Sequence, residues 1–67
     1  MRYYEVKMAT DRKFVGMVFI LNTRHKTITF PGLEKDVMTY NQCKYHGNTI
    51  RINNEDSVWI GLEVDSI

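Results

Sequence analysis

Cysteine and proline each occur once in these 67 residues, as Cys43 and Pro31. A lone thiol cannot close an internal disulfide. With only His25 and His46 beside it, no cluster reaches zinc-site spacing. Cys43 and His46 have the spacing of half a metal site, and no second half follows. No metal or other cofactor is therefore expected. The scarcity of proline, with aromatics at 12% of the chain, argues against disorder. Net charge is also nearly absent. Nine Lys and Arg are interspersed with eight Asp and Glu, a balance of +1 that gives no bulk attraction for nucleic acid or a membrane surface.

Long hydrophobic runs are missing too. Nothing approaches the roughly 20 apolar residues of a membrane span, and Met1–Met8 has no signal-peptide core. A cytoplasmic location fits one free thiol. The opening Met suits a complete small gene product. Paired catalytic carboxylates, a Ser/His/Asp set, a phosphate-cradling glycine loop and a dinucleotide fingerprint are all lacking. Enzymes also need a walled pocket of ~300 Å³ or more, which a core this small rarely spares. A non-enzymatic role is expected.

What is present points to strands. Phe14–Leu21 is apolar at successive positions, rich in β-branched and aromatic residues, and closed by turn residues at both ends. It reads as a central strand covered on both faces, with Gly16 as a bend between layers. Arg2–Met8 alternates, Tyr4, Val6 and Met8 on one face and Tyr3, Glu5 and Lys7 on the other. Pairing across the loop 9–13 sets Met8 against Phe14, Val6 against Gly16 and Tyr4 against Val18. After the turn 22–26, Thr27–Phe30 pairs back, Leu21 against Ile28 and Phe19 against Phe30.

Pro31-Gly32 stops that strand. Leu33–Gln42 is ambiguous. Leu33, Val37 and Tyr40 have helical spacing, so one short helix around 33–41 is one reading, and a loop into another strand is the other. Gly47-Asn48 is a two-residue hairpin signal that pairs Lys44 with Arg51 and Tyr45 with Ile50. With a turn at 54–56, Ile52 faces Val58, Ile50 faces Ile60 and Arg51 faces Trp59. The expected architecture is one all-β domain over residues 1–67, a small bent antiparallel meander or SH3-like barrel of five to six strands. SH3-like here describes shape, which does not fix function.

That register yields one constellation, an outward row Lys44–Arg51–Trp59 with His46 beside it. Tryptophan and arginine are the types most enriched at binding hot spots, and an aromatic beside basic groups also suits single-stranded nucleic acid. The structural alternatives are a simple cation–π pair, which recurs about once per 70–80 residues, and a Trp covered by the chain end. Tyr3, Met17 and Phe19 form a second candidate, a self-association stripe if exposed and ordinary core if covered. Arg24-His25-Lys26 and Arg12-Lys13 read as solvated turn charge. Cys43 reads as a buried, inert thiol.

The leading functional expectation is a protein-binding module, an inhibitor or adaptor, plausible as a homodimer because so small a core buries only ~60% of the unfolded surface. Stand-alone chains of this kind are common among phage and mobile-element products that block a host factor. The alternatives are single-stranded nucleic-acid or nucleotide binding, and a ligand-sequestering homo-oligomer with its pocket between subunits.

Overall fold

The strand at the middle of the sheet is the N-terminal one. The computed structural model describes residues 2–31 and 37–65. In chain order the strands are β1 (Arg2–Ala9), β2 (Val18–Asn22), β3 (Thr27–Thr29), β4 (Val37–Thr39), β5 (Gln42–His46), β6 (Thr49–Asn53) and β7 (Val58–Val64). They form one antiparallel sheet in the order β4-β3-β2-β1-β7-β6-β5. The all-β expectation holds, with seven strands among the described residues rather than five or six. Val37–Thr39 is strand, so no helix runs to residue 41, and residues 33–36 of that expectation lie outside the described residues.

The sheet has to curl. Laid flat, seven strands at ~4.8 Å spacing would set the edge strands about 29 Å apart. Yet β4 and β5, the two edges, are separated in the chain only by Tyr40 and Asn41. Three Cα steps reach about 11 Å. The sheet therefore wraps round its inner face, which agrees with principal extents of 26 × 24 × 24 Å. It stops short of a closed barrel, because β4 and β5 do not pair. The link ties the seam instead: Tyr40 N donates to Lys26 O at 3.1 Å, and Asn41 N donates to Asn53 O at 2.8 Å.

Phe14–Leu21 is not a continuous strand. Arg12–Phe14 is a turn of 3-10 helix, and only Val18 onward joins the sheet. Asp11 starts that turn, its Oδ1 accepting from Lys13 N at 3.1 Å. This is the local bonding that draws Asp out of strands and into caps. Residues 10–17 thus form an arm between β1 and β2, which Gly16 closes at φ +91°, a conformation that glycine enters without steric cost. It is a turn residue, not a bend inside a strand. Val6 is bonded to the arm both ways, donating to Met17 O and accepting from Gly16 N, each at 2.8 Å.

The arm displaces the expected pairing by one residue. Tyr4 lies opposite Phe19 instead of Val18, while Leu21 still faces Ile28 as expected. A one-residue slip moves every side chain to the other face. Tyr4, Val6, Phe19, Leu21 and Ile28 therefore point the same way, into a single core that also holds Phe14, Phe30, Ile50, Ile52 and Trp59. The two-layer role expected of residues 14–21 is overturned. β1 also carries a bulge: Val6 pairs with Gly61 and Met8 with Ile60, leaving Lys7 unmatched. The extra residue reverses the alternation beyond it, so Met8 is 64% exposed.

Aromatic rings fill this core. Tyr4 stacks on Phe19 at 5.5 Å between centroids, Phe14 lies 4.7 Å from Phe30, and Phe19 meets Phe30 edge-on at 5.8 Å. Gly61 makes room for them. A Cβ there would stand 2.9 Å from Tyr4 Cβ and 3.1 Å from Phe19 Cε2.

Candidate functional site

The expected row Lys44–Arg51–Trp59 breaks at its third member. Lys44 does face Arg51, but Arg51 faces Ile60, and Trp59 faces Ile52. The ring of Trp59 is 1% exposed and meets Phe14 edge-on at 6.1 Å. The cause is the turn between β6 and β7. Asn54 Oδ1 accepts from Asp56 N at 2.9 Å and Ser57 N at 2.8 Å, while Asn54 N donates to Ser57 O at 3.0 Å. That bonding draws Ser57 into the turn and moves the first pair to Asn53–Val58. Trp59 thereby leaves the outer face. Its indole N–H is buried with no hydrogen-bond partner among the described residues, which is the cost.

The second candidate stripe is also dispersed. Phe19 is fully buried, Met17 packs against the core, and only Tyr3 stays on the outer face, half-buried. Phe19 went inward with the same one-residue slip. Cys43 is free and half-buried against the core, and His25 and His46 are both exposed.

What the outer face brings together instead follows from the ladders. One row runs Val64–Tyr3–Ile20–Thr29–Val37 across β7, β1, β2, β3 and β4. The next runs Thr49–Leu62–Glu5–Val18. A third runs Lys44–Arg51–Ile60–Met8. Tyr3, Val18, Ile20, Leu62 and Val64 thus form an apolar field over β7, β1 and β2. Glu5 sits within it, its charge met by Lys7 Nζ at 2.9 Å. Lys44, Arg51 and His46 are exposed along the β5–β6 side of that field. An apolar centre with a polar, solvent-facing rim is the anatomy of protein interfaces. The signal for it was parity: these residues alternate with core positions Tyr4, Phe19 and Gly61.

A second feature lies at the open end of the curl. Arg2 is in phase with Tyr4 and Val6, so it points to the inner side where the sheet opens. β7 and β6 separate β1 from β5 in the sheet, yet Arg2 Cζ stands 5.7 Å from the centroid of the Tyr45 ring. The guanidinium is pushed above its usual value, first by hydrogen bonding with the Tyr4 side chain and then by the charges of Tyr4 and Glu63. Burial, hydrogen bonding with Cys43 and the neighbouring charges of Cys43 and Tyr4 push the Tyr45 phenol up to about 12, with Arg2 opposing. Arg2 is not among the residues singled out from the sequence; its available signal is a cation in phase with Tyr4 and Val6 at the start of β1.

Among the described residues no group of three or more His, Cys, Asp or Glu is placed to hold a metal ion, and no helix is long and apolar enough to cross a membrane. The fold and this face together describe a bent antiparallel β module whose outer surface carries half-buried and exposed apolar side chains. Set against protein-family models, curated proteins and solved structures, the chain finds no match.

Proposed function

We propose that this chain is a non-enzymatic protein-binding module, an inhibitor or adaptor, that engages its partner through the outer face of β7, β1 and β2. The observation that carries this reading is the field Tyr3–Val18–Ile20–Leu62–Val64, apolar on the side of the sheet away from the core and bordered by Arg51, Lys44 and His46. Contiguous apolar surface rimmed by polar residues is the mark of a protein interaction site. The rim cations steer approach and set register, and the apolar centre supplies affinity. The nucleic-acid alternative is weaker now, because the indole meant to stack bases lies in the core. A reducing cytoplasm remains the setting that suits Cys43.

A photo-crosslinking residue at position 62 tests this, with one at position 24 on the exposed turn as control. In native cells, position 62 should capture a defined partner and position 24 should not, and Ile20→Asp should abolish capture while the melting curve survives. Equal capture from both positions would refute the assignment. An adduct of the chain with itself would make a second copy the occupant of the face, as in a homodimer.

A further inference from the structure

We propose that the open end of the curled sheet is a binding site for a small, flat ring bearing an anionic group, contacted by Arg2 and Tyr45 side by side at its mouth. The cleft there has a volume of ≈ 490 Å³ and is lined by Arg2, Leu21, Thr23 and Tyr45. That lies within the range of ~300–1,000 Å³ typical of small-molecule sites. Two smaller clefts differ in kind. One of ≈ 250 Å³ is lined by Met8, Ala9, Thr10, Val58 and Ile60 and offers no charge. The other, of ≈ 270 Å³ beside Asn54, Glu55 and Asp56, offers neither a cation nor a ring.

The chemistry of the open end is specific. Leu21 is buried and supplies an apolar floor, and Thr23 places a hydroxyl at the rim. Tyr45 is 48% exposed, so part of its ring is free to meet a ligand beside Arg2, which stands over it. Arg2 is exposed, and among the described residues no carboxylate lies within ion-pair distance of it. A guanidinium presents a planar fork of donors that fits a carboxylate or a phosphate. The Tyr45 phenol stays protonated well past neutrality and so remains a donor and not a second anion. Glu63 is the opposing charge, near enough to act on Arg2 though beyond ion-pair distance. It lies in the row of Tyr4. This site is on the inner side of the sheet, away from the outer face described above, and takes a different class of ligand.

Titration of the full chain, followed by amide NMR shifts, tests it with two anionic rings and one neutral ring. Indole-3-carboxylate represents a carboxylate source, adenosine 5′-monophosphate a phosphate source, and adenosine the uncharged control. At least one anion should give saturable shifts centred on Arg2, Thr23 and Tyr45, at least 10-fold tighter than adenosine. Arg2→Met should weaken that binding about 10-fold, Glu63→Gln should tighten it, and Arg51→Met on the outer face should leave it unchanged. Which anion wins identifies the source. Absence of saturable shifts from both anions, equal binding of adenosine, or indifference to Arg2→Met would overturn the proposal.

Discussion

The hairpin β5–β6 and the arm joining β1 to β2 solve the same problem, reversing a strand, in opposite ways. The hairpin does it with two residues. Gly47 takes φ +59° at the first central position, and every pair from His46–Thr49 to Gln42–Asn53 follows from that count. The arm uses residues 10–17, with an Asp-capped 3-10 turn, a left-handed glycine and Phe14 driven into the core. The hairpin thus takes its register from the turn. The arm takes its register from packing, because one side chain inside the arm must reach the aromatic cluster.

Substitutions separate the two regimes most sharply where packing governs. Phe14→Ala should cost about 3–5 kcal/mol in denaturant unfolding, the usual range for emptying an aromatic site in a core. Tyr45→Ala on the hairpin should cost far less, since that ring is half in solvent. Equal losses would mean that the arm is only a tether. Next in size is Gly61→Ala. Its new methyl meets the Cβ of Tyr4, which cannot move without β1, and a loss of about 1–3 kcal/mol is expected.

Gly16→Ala and Gly47→Ala probe the two reversals directly. Open space surrounds both positions, so the change is one of backbone conformation alone. Each should cost roughly 1–2 kcal/mol, the penalty of a left-handed residue with a Cβ. A loss at Gly47 without one at Gly16 would show that the arm can relax and the hairpin cannot.

These same regions account for what was legible in the sequence. The pairings within residues 42–53 are legible in the sequence because a two-residue turn leaves no freedom, and so is Leu21–Ile28. The pairings of β1 with β2 and of β6 with β7 each slipped by one residue, through an Asp11-capped 3-10 turn and an Asn54-bonded turn. Alternation patterns do not count the residues such turns absorb. The bulge at Lys7 hid the exposure of Met8 for the same reason. Lys44, Arg51 and His46 were placed on the outer face and are there. Trp59, expected on that face, lies in the core, and Phe19 and Met17 follow the covered reading of their stripe, since residue identity alone does not fix parity. The apolar field around Ile20 and Leu62 became visible only once the core had claimed the other phase.

The smallest expected effect concerns pH. The Tyr45 phenol is raised to about 12 from 10.0. In the window between those values the unfolded chain has lost this proton and the folded chain retains it. Its stabilising contribution is therefore complete below pH 10 and falls as pH rises towards 12. Tyr40, raised by burial and by Cys43, acts in the same direction. Tyr45→Phe should flatten the alkaline decline of stability, measured by urea unfolding from pH 9 upward, and an unchanged slope would place the phenol in ordinary solvent.

The inward placement of Trp59, and with it the phase of the whole sheet, is read most directly by fluorescence, because the chain has a single tryptophan. The folded protein should emit to the blue of its urea-unfolded form and resist acrylamide quenching. Emission that does not move on unfolding, with quenching as efficient as for the free amino acid, would return residue 59 to the surface and exchange the inner and outer faces at β7.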